Sequence, residues 1–475
     1  MPTASSTSSG ATLARPAHVR PPGPPPRRGG LHSLGYFYRF ATDPFGFVGE
    51  RFERYGDIYF APADDTGLFV LRHPDHIREV LALRANRYRK QHSAFARLSQ
   101  VLGQGLLTAD GEPWKRHRRM IQPAFHRQRL AAYAEVMVDE TERTIATWQE
   151  GEVRDIAREM VELTLRVVSR TLFSHDARGE TDAVVHAMGM LNNTLGRPSL
   201  LPGWVPNPAR ARMRRAVQQL DDLVYGLIDE RRAAMGAAVE RGARDLPRDL
   251  PHDLLQAMVE AVDEEGDQGS LSRQEVRDEL VTLFLAGHET TSHALSWTFL
   301  LLSRNPGQRA RLHEELDAVL AGRAPTFDDL EALTLTERVM YESMRLYPPA
   351  FVLARRAIED TEVGGYFVPA GSEVVVWTWM THRDPRWYPA PLVFRPDRFG
   401  PEARAARPRM AYLPFGGGPR ACIGSMFSLV ESRLVLATIA RRFELELLPG
   451  ARVKTRPSIT LAPRHGLPMR LRRRG

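Results

Sequence analysis

Apolar positions recur every three to four residues along most of this chain, so its underlying pattern is helical. The spacing predicts helices over 33–55, 75–83, 114–125, 128–148, 153–173, 181–195, 209–241, 270–304 and 425–443. Thr334 and Glu337 pair as a capping box at the start of another helix, which Pro348-Pro349 ends. Strand-like runs are short: 58–61 and 67–71 around an Asp64-Asp65 turn, then 363–368 and 373–378, punctuated by Gly364-Gly365 and Gly371. The expected fold class is mainly α, with small peripheral β-sheets. Two stretches lack a clean period. Residues 86–112 carry apolar side chains as a loop covering a cavity would, and 196–208, broken by prolines, offers Leu200, Leu201 and Trp204 to a lid or to the core. Residues 1–30 read as a flexible, Pro-rich tail and 31–475 as a single domain.

Two places break the pattern. The run over 270–304 is the longest helix, opened by a capping box of Ser272 with Glu275 and stopped by Asn305-Pro306. It is apolar nearly all round from 281 to 302, yet its middle reads Gly287-His288-Glu289-Thr290-Thr291. Such residues are poor choices inside a buried helix unless something is built around them. The second break is Phe415-Gly416-Gly417-Gly418-Pro419-Arg420-Ala421-Cys422-Ile423-Gly424, a loop that feeds the 425–443 helix. It holds the one cysteine among 475 residues, which rules out an intramolecular disulfide. The helix N-terminus is expected to lower that thiol's pKa, making it fit to attack a substrate, sense redox state or ligate a metal.

Charge narrows the field. The net charge of +8 comes from 65 basic and 57 acidic residues, mostly interspersed, with the surplus near the two ends. That distribution argues for a basic patch docking an acidic protein and against nucleic acid. No apolar run reaches the roughly 18 residues of a transmembrane segment, and no signal peptide is visible, so a soluble, cytoplasmic protein is expected.

The cysteine loop matches F-G-x-G-x-R-x-C-x-G at every fixed position. Together with Glu289-Thr290, the Glu342-x-x-Arg345 pair, Pro396-Asp397-Arg398-Phe399 and Trp114-x-x-x-Arg118, it makes the chain after about residue 31 resemble the cytochrome P-450 (haem-thiolate) monooxygenase family. The resemblance implies that Cys422 is the proximal thiolate ligand of haem b (iron protoporphyrin IX), whose electron donation favours O–O cleavage. Gly416 and Gly418 would bring backbone close to the sulfur, Phe415 would screen it from water, and Gly424 would let the next helix approach the porphyrin. Trp114, Arg118, Arg420 and Arg355 (or its neighbour Arg356) would hold the propionates. Lys115, Arg116 and Arg119 would form a docking surface for an electron donor. Thr290 and Glu289 would be catalytic, relaying protons through a locally loosened helix turn, with His288 and Thr291 structural. Glu342, Arg345 and Arg398 would form a buried structural network, in which Asp397 departs from the family's usual glutamate. An apolar substrate pocket would be lined by Phe95, Phe284, Ala286, Ala350 and Phe351, with the turn near Leu461.

The implied function is insertion of one oxygen atom of O2 into an apolar organic substrate, by hydroxylation or epoxidation. Fatty acids, terpenoids, steroids and polyketide-like molecules all fit. Electrons would come indirectly from NAD(P)H through ferredoxin (or flavodoxin) and its reductase, since the sequence leaves no room after its last strands for a reductase domain. The protein is expected to act as a monomer. A peroxide-driven hydroxylase is a rival that the Glu289-Thr290 pair argues against. A haem-thiolate sensor without turnover is another, and it has no need of a proton relay.

Overall fold

The computed structural model describes residues 19–25, 31–62, 67–90, 95–174, 208–240, 253–263 and 269–474. The helix expected over 181–195, the lid candidates Leu200, Leu201 and Trp204, and the Asp64-Asp65 turn lie outside the described residues.

The organising element is the helix Arg273–Arg304. Its capping box is made as the sequence predicts: the Ser272 side chain accepts from the Glu275 backbone, and the Glu275 carboxylate accepts from the Ser272 N–H at 2.7 Å. Helices Ile156–Phe173, Pro208–Glu240, Thr334–Leu346 and Ser425–Ala440 pack around it, so apolar residues on every side of it find partners. The Thr164 hydroxyl crosses from Ile156–Phe173 to the His288 carbonyl at 2.9 Å.

Strands are peripheral. β1 (Ile58–Ala61), β2 (Leu68–Leu71), β3 (Tyr88–Arg89), β5 (Leu353–Ala357) and β8 (Glu373–Val376) form one sheet in the order β1-β2-β8-β5-β3, in which β2 and β8 run parallel. β4 (Val153–Asp155) and β9 (Phe443–Leu447) flank β12 (Pro468–Arg473). The pairs β6 (Thr361–Val363) with β7 (Tyr366–Val368), and β10 (Thr455–Pro457) with β11 (Leu461–Pro463), complete the set. The chain is thus mainly α with small sheets. Among the described residues no helix is long and apolar enough to cross a membrane.

Several expectations are corrected. Residues 153–155 are strand, not helix: Asp155 lies opposite Pro468 of β12 and then caps Ile156–Phe173 by accepting from the Ala157 N–H. The 33–55 helix is two, Leu31–Thr42 and Pro44–Tyr55, because Pro44 forces a fresh start that Asp43 caps. The stretch 86–112 contains a helix, Phe95–Leu102. Thr334 and Glu337 make no capping box; the carboxylate of Glu315, on the preceding helix Pro306–Leu320, accepts the Thr336 N–H at 2.8 Å instead. Within the expected tail, 19–25 is docked: the Phe60 N–H donates to the Pro22 carbonyl at 2.9 Å and the Phe367 N–H to the Val19 carbonyl at 3.1 Å.

Candidate active site

In the middle of the buried central helix, Ala286 is exposed and Gly287 and Thr290 are half-exposed, with buried residues on both sides along the chain. Side chains that reach solvent volume inside a protein line a hollow. Cys422 behaves likewise. It has accessible surface, yet burial pushes its thiol pKa up, against the lowering effects of the Gly424 backbone, Arg118 and Lys90. The expected lowering at the helix N-terminus is therefore corrected: desolvation outweighs it. The Cys422 N–H donates to the Phe415 carbonyl at 2.9 Å, closing the loop upon itself. Gly418 has φ of +68°, and a side chain there would overlap the Leu81 carbonyl oxygen, so this position admits glycine alone. Gly424 is less constrained, since a Cβ there would meet Phe125 at an ordinary 3.7 Å.

Two links hold the walls together. The Thr291 hydroxyl meets the Ser428 hydroxyl at 3.0 Å, tying the central helix to the helix that follows the cysteine. Arg118 donates to the Ala421 carbonyl at 2.8 Å, next to the cysteine. Arg118, expected at a propionate, is thus engaged with the loop backbone.

A cationic rim stands beside the loop. Arg420 pairs with Asp110, donates to the Ala109 carbonyl at 2.8 Å and lies 4.2 Å over the Trp114 ring. Arg355 is buried, whereas Arg356 points to solvent on the other face of β5. Burial, then the like charge of Arg420, brings the Arg355 pKa down to about 10. Lys90 joins them: burial, then Arg355 and Arg420, lowers its pKa to about 7. Asp110 is the carboxylate that acts on all three, and the cations still repel one another there, so an anionic group would relieve the strain. A sulfur on one element, small side chains on another and a rim short of negative charge fit a haem with its two propionates. The sequence reading missed Lys90, whose partners Arg355, Arg420 and Asp110 come from other parts of the chain.

Glu289 and Thr290 point differently. The Thr290 hydroxyl donates to the Ala286 carbonyl at 2.7 Å, and the turn stays α-helical rather than loosening. Glu289 is buried, and its Oε1 accepts from the Thr460 hydroxyl at 3.0 Å and faces His293 Nε2 at 3.5 Å. Burial alone would raise its pKa, but His293, His288 and Thr460 together hold it below the usual range. Of the expected pocket residues, Ala286 and Ala350 keep accessible surface. Phe284 is buried beside the His288 ring, and Phe351 turns into an aromatic cluster with Phe45 and Trp377. Phe95 opens its helix, and its side chain lies outside the described residues.

The acid–arginine network is assembled and fully enclosed. Arg345 grips Glu342 through two bonds of 2.7 and 2.8 Å and donates to the His382 and Pro391 carbonyls. Arg398 Nε lies 3.3 Å from Glu342, whose Oε1 also takes the Arg395 N–H at 2.8 Å. Asp397 is outside this knot, paired with Arg311 at 2.9 Å, which accounts for the tolerance of aspartate there. The expected docking cations are themselves paired: Lys115 with Glu112, Arg116 with Glu275 and Arg119 with Asp263. Buried Glu431, beside Thr291, and His117, against Glu279 at 2.7 Å, are further titratable groups that the sequence reading passed over.

The sequence matches the family described as Cytochrome P450 over residues 21–467. Cyclooctatin synthase of Streptomyces melanosporofaciens is 37% identical over 444 residues, covering 91% of this chain and 92% of that protein. Pentalenene oxygenase of Streptomyces avermitilis is 34% identical over 448 residues, covering 94% and 96%. The solved haem domain of cytochrome P450DA superposes with a TM-score of 0.80 at 28% identity, covering 96% of this chain and 98% of that one.

Proposed function

The chain belongs to the cytochrome P450 monooxygenase family, and we propose that its substrate is an apolar cyclic terpenoid, oxygenated with electrons delivered by separate redox proteins. The observation that carries the substrate class is the near full-length likeness to cyclooctatin synthase and pentalenene oxygenase. The uncharged, small-residue surface at Ala286 and Ala350 supports it, because such a wall gains by contact with hydrocarbon and offers no ionic partner to a carboxylate substrate.

In this reading residues 31–475 work as one haem domain. Haem b, when bound, supplies the iron at which O2 is activated. Cys422 is its thiolate ligand, held in place by the bond from its own N–H to Phe415 and by the hold of Arg118 on Ala421. Arg355, Arg420 and Lys90 receive the two propionates, and Trp114 supports Arg420 from beneath. Thr290, on the hollow, orients water, and Glu289 is the acid that supplies protons to it. Electrons reach the site from NAD(P)H through a ferredoxin or flavodoxin and its reductase.

The test is turnover of the haem-loaded protein with NAD(P)H and a reconstituted donor pair, followed by mass spectrometry. Cyclic terpene hydrocarbons should shift the haem absorption on binding and yield products heavier by one oxygen. Binding and turnover of fatty acids or steroids in preference to terpenes would overturn the substrate class. NAD(P)H consumption without product from any class would favour a sensor.

A further inference from the structure

One buried side chain on the central helix is not accounted for by its own hydrogen bonds. His293 exposes 7% of its surface, and among the described residues neither of its ring nitrogens makes a hydrogen bond. An unsatisfied imidazole in a core costs free energy that leucine would not. What His293 has is an acid one turn back: its Nε2 stands 3.5 Å from Glu289 Oε1, at the i,i+4 spacing that brings side chains together. The same oxygen accepts the Thr460 hydroxyl at 3.0 Å, from the turn between β10 and β11. Another turn along, Trp297 Nε1 donates to the Leu461 carbonyl at 2.8 Å. Residues 289, 293 and 297 thus form a stripe facing the β10–β11 turn, whereas Thr290 lies about 100° round the helix.

We propose that His293 is a positioning residue for Glu289, holding its carboxylate aimed at the β10–β11 turn, with Thr460 as the second point of the clamp. This rests on the reading of Glu289 as the proton-supplying acid. A small movement of either side chain converts the 3.5 Å approach into a charge-assisted hydrogen bond. The direction of the Glu289 pKa agrees, since His293, His288 and Thr460 outweigh the burial that raises it. Among the described residues, the titratable groups that act on Glu289 are His293 and His288. His288 on the same helix is bonded to the Phe284 carbonyl. Glu431, on the helix after the cysteine, faces Thr291, about 200° round from Glu289. From the turn, the group that meets Glu289 is the uncharged Thr460 hydroxyl. The carboxylate is thereby returned to one orientation after each proton it takes up and passes on.

The experiment follows the Glu289 carboxyl band of the haem-loaded protein by infrared difference spectroscopy against pH, assigned with Glu289→Gln. In His293→Phe the titration midpoint should rise by about one pH unit or more, the size typical of losing a close partner. Thr460→Val should move it less, in the same direction, and His293→Gln, which keeps an N–H donor, should restore most of it. An unmoved midpoint in His293→Phe, with a normal carbon monoxide spectrum, would overturn the proposal. Should the phenylalanine variant fail to load haem, His293→Leu takes its place, and an unmoved Glu289 midpoint there is equally fatal. Full coupling of NAD(P)H to product in Glu289→Gln would instead sink the relay reading alone, leaving the titration result to stand.

Discussion

At Cys422 two effects act on one thiol in opposite senses, and desolvation prevails over the helix N-terminus. As a free thiol the residue is thus held nearer its neutral form than its place before a helix suggests. Cys422→His keeps a ligand at the position and removes the sulfur. The reduced carbon monoxide complex of this variant should lose the strongly red-shifted Soret band of thiolate ligation, and its survival would assign the ligand elsewhere. Cys422 stood out in the sequence because its loop is contiguous, while its role as a ligand was read only together with the four other motifs. Lys90 and His293 did not stand out, because their meaning lies in partners from other parts of the chain or in a missing hydrogen bond.

Among elements, the helix Thr334–Leu346 shows what a contiguous pattern can and cannot say. Its Glu342–Arg345 pair was visible as a three-residue spacing, and both side chains are fully enclosed. Arg345→Met would leave Glu342 with Arg398 at 3.3 Å as its remaining cation in this knot, and should destabilise the fold by about 3–5 kcal/mol in denaturant unfolding. The helix start was misread, since the carboxylate that caps it comes from the neighbouring Pro306–Leu320. A second inter-element contact sets a pH dependence. Burial opposes charge on His117, but Glu279 and Glu275 outweigh it and raise its pKa. With the folded pKa above the unfolded value, the pair contributes its full stability below about pH 6.5 and loses it as pH rises through the folded pKa. The stability difference between wild type and His117→Gln, from unfolding curves at several pH values, should therefore shrink on the alkaline side. A constant difference would mean that the ring does not change charge across that range.

On the scale of the whole molecule, local periodicity found the helices and missed what pairing over long distance creates. Strand β4 exists because β12 lies beside it, and nothing in 153–155 alone says so. The same holds for residues 19–25, whose prolines suggested only a tail. β1 is an outer strand of its sheet, and such a strand offers unpaired backbone groups to any other extended chain. Here the Pro22 carbonyl takes the Phe60 N–H, Arg20 lies 5.1 Å over the Phe60 ring, and Gly23 approaches the Phe60 carbonyl where a Cβ could not fit. A segment rich in proline accepts such a bond while having few N–H groups of its own to recruit a further strand. It therefore terminates the sheet instead of extending it. A protein begun at residue 31 should load haem normally yet scatter more light on concentration and warming than the full chain. Its surplus self-association would be open-ended, strand upon strand, and a short peptide spanning 19–25 added in excess should suppress it.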